Sequence, residues 1–426
     1  MGRAARRAEL ARARPSRSGR PPQTGRGRHG DRAGDRGRCR SPGPRLPRAP
    51  AVSEGRPLRV LTTVETLAPV GGVEVCTLQD VTGLAARGHD TTVLWHVDGE
   101  HRAAYEAVGA TLRGPFRFDA APRSALRDLA AFGPSVGEAR RARADVLWLN
   151  RPEQIVWAQV ARRAAGLPVV AHLHHLPNYE RTRLVMSGVA HFVAVSHHMA
   201  AVWVAAGLEP ERVTVVHNAV DPGDYPLGGP AEAETARRAL GLDLAPGARV
   251  ALAYGRLTVG KGVDALVRAW GRLALDPRRA VLVLAGPEPD AAVAEALDAL
   301  PPGSWRRLGL QGDVVPLLHA ADVVVMPSAE PEAFGRVLVE AMSTGRPAVA
   351  TAVGAAPEVL TGEFARFLVP PRDEAALAAT VGAALGWREV DRGLGERARE
   401  HVATAFPHGR HLDELEAVLR RHIRAR

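Results

Sequence analysis

Two carboxylates eight residues apart, Glu332 and Glu340, stand in the most chemically loaded stretch of this 426-residue chain, 327–347. An apolar run ends at Met326, a polar loop covers 328–332, and a helix is expected from near Gly335 to Gly345, with Pro347 just beyond. On that reading Glu332 sits at the helix entrance and Glu340 one to two turns inside. A helix N-terminus at the carboxyl edge of a buried strand offers free N–H groups to an anion. Two carboxylates beside it accept hydrogen bonds from hydroxyls. Taken alone, the same spacing also describes a helix-start charge and a solvated helix face. A second stretch, 254–262, carries Arg256 and Lys261 in a Gly-containing loop between a strand end and a helix start. Arginine grips phosphate oxygens with a planar fork, lysine as a compact point charge. Of the 56 Lys and Arg residues, Lys261 is the one lysine, which singles out its position.

Softer signals lie upstream. Gly71 and Gly72, followed by Glu74, separate a strand from a helix. They read equally as a plain turn and as a loop whose missing side chains let a ligand approach the backbone. His172, His174 and His175 end another strand. No acidic or cysteine ligand is spaced to complete a zinc set with them, so no metal site is assigned. A satisfied structural histidine stays as the alternative reading for each.

Loops of this kind need a frame. Strand-like apolar runs recur at 58–64, 91–95, 145–149, 168–172, 192–195 and 213–217. A second series follows at 249–254, 280–285, 322–326, 348–351 and 365–369, with helical segments such as 73–87, 153–165, 263–275 and 290–300 between them. Strands alternating with helices predict βαβ units and mostly parallel sheets. The expected organisation is a disordered tail over 1–55, α/β domains over 56–225 and 226–405, and a helix over 406–426 packing back. The Gly/Pro-rich 222–231 reads as a linker, and a ligand cleft is expected between the domains. The stretch 184–208 has 25 residues and no Asp, Glu, Lys or Arg. Its Ser, Gly and His residues would be costly in lipid. It parses better as a strand to Val195, Ser196 as helix cap, a helix to Ala206 and Gly207 as its stop.

The net charge of +10 belongs to the tail, because residues 1–50 carry 15 Arg against 3 acids. The remainder is slightly acidic, which removes the main support for nucleic-acid binding. The tail lacks the apolar core of a secretory signal. Its G-x-G-x-x-G at 25–30 follows no strand and is rejected as a dinucleotide fingerprint. Two cysteines, Cys39 and Cys76, exclude a disulfide framework and point to a reducing compartment.

Glu332 and Glu340, flanked by Phe334-Gly335 and Ala341-Met342, resemble the E-x7-E signature of family-4, group 1 retaining glycosyltransferases. The 254–262 stretch resembles that family's G-R-x-x-x-x-K-G element, and the resemblance extends over about 57–405. Ala219 stands where the family more often has Gly. The resemblance implies an α/β GT-B fold, two Rossmann-like doubly wound domains facing an interdomain cleft. It implies donor contacts from Gly71, Gly72, Arg256, Lys261, Glu332, Phe334, Gly335, Arg336, Val337 and Glu340. Glu332 would meet the donor sugar and Glu340 the ribose. Catalytic roles would fall to Glu332, Arg256, Lys261 and His174, with His172 second. The implied reaction moves a sugar from a UDP-, GDP- or ADP-sugar to a glycan, lipid or small-molecule acceptor. It needs no cofactor or metal and no specific nucleic acid. The expected setting is the bacterial cytoplasm, with the basic tail touching an anionic membrane face. A GT-B-like protein that binds a nucleotide sugar without transfer is the alternative. A nicotinamide oxidoreductase is disfavoured, because no G-x-G-x-x-G follows the first strand.

Overall fold

The computed structural model describes residues 55–423 apart from Glu180. The tail, with the membrane contact expected of it, its 25–30 motif and Cys39, lies outside the described residues. The first sheet is built from β1 (Arg59–Thr66), β2 (Asp90–Val97), β3 (Thr111–Arg113), β4 (Val146–Leu149), β5 (Val169–Leu173), β6 (His191–Ala194) and β7 (Val213–Val215). The second holds β8 (Arg249–Tyr254), β9 (Ala280–Ala285), β10 (Trp305–Leu308), β11 (Val323–Met326), β12 (Ala348–Thr351) and β13 (Leu368–Val369). Their orders are β3-β2-β1-β4-β5-β6-β7 and β10-β9-β8-β11-β12-β13, and every pairing is parallel. These are two doubly wound sheets. Each reverses its strand order once, between β1 and β4 and between β8 and β11, where a crevice opens at the strands' carboxyl ends.

The sequence dictates this locally. β9 reads AVLVLA and is buried along its whole length, the pattern of a strand covered on both faces. The helix Val263–Leu273 buries Val263, Leu266, Val267 and Trp270, one face at helical spacing. Each fully buried Val or Leu contributes about 1.5–3 kcal/mol. The last helix, His408–Arg421, returns to the first sheet and buries Leu412, Leu415, Val418 and Leu419. A Cβ at Gly83 of the first helix, Gly72–Ala86, would lie 2.4 Å from a Leu412 methyl, so glycine is what permits this approach. His411 Nε2 lies 2.7 Å from Asp80 Oδ1. Burial alone would lower the His411 pKa, and the Asp80 carboxylate more than offsets it, holding the imidazole above its usual range.

One local reading needs revision, and two others gain detail. The stretch 365–369 is a strand only at its end. A 3-10 helix, Gly362–Phe367, precedes β13 and buries Phe364 and Phe367, a spacing of three that suits three residues per turn. The stretch 222–231 lies on the connection between the two sheets and is packed in place. Tyr225 is buried, Arg399 donates to the Tyr225 and Pro222 carbonyls at 2.6 and 3.0 Å, and a helix begins at Pro230. The uncharged stretch 184–208 holds β6 and the helix His197–Ala205, capped by Ser196 Oγ accepting from the Met199 N–H. Among the described residues no helix is long and apolar enough to cross a membrane.

Candidate active site

The loops leaving β1, β4, β8 and β11 meet at one cavity of about 550 Å³. The first lobe lines it with residues 70–74, Arg151 and His175, and the second with 254–257, Lys261, 325–328, Glu332 and 335–337. Both topological switch points therefore open onto the same space.

In the second lobe Thr258 starts a single 3-10 turn, Val259–Lys261, and Gly262 leaves it at φ +65°. A Cβ at Gly262 would stand 1.8 Å from the Pro327 carbonyl oxygen, so the turn lies against the loop after β11. The N–H groups of Ala329 and Glu330 donate to the Gly260 carbonyl at 3.2 and 3.1 Å. This seam brings Lys261 Nζ to 2.7 Å from Glu332 Oε1, and the Ser328 hydroxyl donates to the same oxygen. Arg256 is exposed at the cavity wall.

Two helices begin at the cavity, Gly72–Ala86 after Gly71 and Arg336–Ser343 after Gly335, which sits at φ +87°. Neither has a side-chain cap, whereas Ser196, Asp290 and Asp373 cap theirs. Uncapped first-turn N–H groups with the positive dipole end make a ready anion site. Here two such ends stand on opposite walls. A Cβ at Gly72 would meet only Arg336 Cδ, at 3.9 Å. What a side chain there would fill is the cavity itself.

Glu340 is buried on the helix body rather than solvated. The Tyr225 hydroxyl donates to it at 3.2 Å, and Tyr254 Oη and Arg336 Nε donate as well. Arg336 further donates to Tyr225 Oη at 3.1 Å and to Cys76 Sγ at 3.3 Å. Arg336 lines the cavity and Glu340 an adjoining pocket of about 180 Å³, but both are spent first on each other and on the seam between lobes. Burial pushes the Cys76 thiol up to about 11. Phe334 borders a second cavity of about 320 Å³ and packs edge-on against Phe406, with ring centroids 5.3 Å apart. Val337 lines the main cavity.

The three histidines are placed differently from one another. His172 is fully buried, its ring 4.1 Å from that of His174. His174 borders the smaller cavity, but its Nε2 is sealed and has no partner among the described residues. Burial, then the neighbouring His172, holds its pKa well below the usual range, so the ring is neutral. His175 lines both cavities and pairs through Nδ1 with Glu153 at 2.7 Å. β5 ends at Leu173, and past that point strand alternation no longer predicts which side chain faces the space. Sequence reasoning also missed Arg151, which ion-pairs with the buried Glu74. Its one signal is a charge standing just beyond a buried strand.

Comparison with known proteins follows the same division. A Glycosyltransferase Family 4 model matches residues 70–224, and a Glycosyl transferases group 1 model matches 248–386. A D-inositol 3-phosphate glycosyltransferase of Mycolicibacterium gilvum is 35% identical over 210 residues, 46% of this chain and 44% of that protein. The match therefore spans less than half of that relative's length. A protein of the same name from Actinosynnema mirum is 32% identical over 340 residues, covering 67% of this chain and 77% of its own. Anabaena HepE, solved with UDP and glucose, superposes at a TM-score of 0.72 with 22% identity, over 85% of this chain and 99% of HepE. WaaG, described as a glycosyltransferase involved in lipopolysaccharide biosynthesis, superposes at 0.65 with 18% identity, over 84% and 99%. These two share the fold. With paired doubly wound sheets, both family models and a relative matched over most of its length, the chain belongs to the group 1, family 4 glycosyltransferases of GT-B fold.

Proposed function

We propose that this protein transfers a sugar from a nucleoside diphosphate sugar to an acceptor hydroxyl, with retention at the anomeric carbon and without a metal ion. The observation that carries this reading is the pair of uncapped helix N-termini facing one cavity with Arg256 and Lys261. As the sugar–phosphate bond breaks, the sugar becomes oxocarbenium-like and negative charge gathers on the departing diphosphate. Fixed N–H groups and two cations answer that charge with no reorganisation at the moment of reaction. Glu332, steadied by Lys261 and Ser328, positions the sugar by accepting from its hydroxyls. It is not assigned as a nucleophile. The leaving phosphate helps deprotonate the acceptor on the same face. The acceptor lies on the first-lobe wall, beside Gly71, Gly72, Arg151 and His175. His174, neutral and sealed, acts on the wall's shape. The supporting comparisons are HepE, solved with UDP and glucose, and the relatives named for D-inositol 3-phosphate.

The test is release of nucleoside diphosphate from UDP-, GDP- and ADP-sugars, with and without inositol 3-phosphate, after exhaustive chelation. Acceptor-dependent release with one donor and retained configuration by proton NMR is expected. Donor affinity by calorimetry, with no transfer to any of a panel of glycan, lipid and small-molecule acceptors, would leave a nucleotide-sugar-binding protein instead. Activity restored by Mg²⁺ or Mn²⁺ after chelation would overturn the metal-free mechanism.

A further inference from the structure

Away from the donor cavity, three ligating side chains converge across the two lobes. His197 opens the helix His197–Ala205, and His217 follows β7. Both belong to the first lobe. Glu358 lies in the short helix Ala356–Val359 after β12, in the second. One ligating atom from each falls within 4.8 Å of the others, and none of the three lines either cavity described above.

The donors are held in place. Glu358 Oε1 accepts from the His198 N–H at 2.7 Å and Oε2 from the His197 N–H at 2.9 Å. His217 Nε2 stands 3.1 Å from the same Oε2. The His217 ring is packed edge-on against Phe406, with centroids 5.5 Å apart, and its backbone carbonyl accepts from His411 Nδ1 at 2.8 Å. The His197 ring is exposed, with its centroid 5.1 Å from that of His217. Two fixed ligands and one on the solvent side give a metal ion both a seat and an entry path. Two imidazoles and one carboxylate are the donor set of zinc-class ions, with a position left for water.

We propose that His197, His217 and Glu358 bind one divalent transition-metal ion of zinc's class, and that the ion fastens the two lobes together. It would do so beside the loop that carries Glu332, because Ser196 Oγ, next to His197, already donates to the Ala333 carbonyl at 2.6 Å. This ion takes no part in the transfer chemistry, and the site stands whether or not the proposed reaction is correct.

The experiment titrates Zn²⁺ into the full-length, chelator-stripped chain against a chromogenic zinc chelator, and follows Tm in parallel. Expected are one zinc per chain, a raised Tm, and no competition by Mg²⁺. His197→Ala, an exposed change that leaves the packed pair intact, and Glu358→Gln should each weaken zinc roughly tenfold or more. His422→Ala should not. Co²⁺ should give a visible d–d band that is lost in His197→Ala, whose circular dichroism stays that of the parent. Zinc affinity equal in all variants, or no zinc-dependent Tm shift in the parent chain, would overturn the proposal.

Discussion

On facing walls of one cavity stand two ion pairs of the same chemistry, built to different ends. Glu74 in the first lobe has 2% of its side chain exposed and its partner Arg151 22%, whereas Lys261 and Glu332 in the second have 31% and 15%. The first-lobe pair is a desolvated carboxylate under an arginine lid. Removing one member leaves an uncompensated buried charge. The second-lobe pair is partly open on both sides, so the exchange of partners for phosphate oxygens and sugar hydroxyls that the proposed mechanism requires would cost little. Exposure separates the pair that holds the wall from the pair proposed to meet the ligand.

The sharpest way to break this comparison is Lys261→Ala. It should lower kcat/KM more than a hundredfold, about 3 kcal/mol of transition-state stabilisation, with Tm close to the parent's. Arg151→Ala matching that loss at unchanged Tm would erase the distinction between the walls. Next, Arg256→Ala should cost roughly thirtyfold in kcat/KM, about 2 kcal/mol, with partial recovery in Arg256→Lys because lysine lacks the fork. Full recovery would reduce Arg256 to a bare charge. Arg151→Ala should then act mainly on stability, about 1–2 kcal/mol by urea unfolding once its partial exposure is allowed for. Its activity should stay within a few-fold once folded.

The smallest effect concerns the first-lobe strand end alone. Burial, helped by the nearby His411 and opposed by Asp80, pushes His172 down to about 3. The unfolded chain takes up that proton near pH 6.5 and the folded one only near 3. Folding stability is therefore full above 6.5 and falls as pH drops through that window, by at most about 1.4 kcal/mol per pH unit. His172→Phe should remove this term, so its Tm advantage over the parent should widen from pH 7 to pH 5. Parallel Tm profiles would refute the assignment.

Much of this was legible before any coordinates. β8, β9 and β12 have the bounds their apolar runs predict, and Ser196 caps the helix it was expected to cap. Edge strands β3 and β10 escaped notice, because three or four residues mixed with arginine carry no burial pattern. The C-terminal helix announced its amphipathic face but not its partners, the first sheet and, at Gly83, the first helix.

Local pattern in the chain, namely apolar runs, caps, turn glycines and the motif spacing of Arg256, Lys261, Glu332 and Glu340, determined the two α/β series and the residues at the second-lobe wall. Such features are written in neighbouring residues. The tertiary structure alone decided that Arg151 would meet Glu74, that Glu340 would be spent on Tyr225, Tyr254 and Arg336, and that His175 would line both cavities while His174 borders only the smaller one. Those choices depend on which distant surfaces displace water from a charge, and on how two sheets set their crevices against each other. No window of sequence contains either.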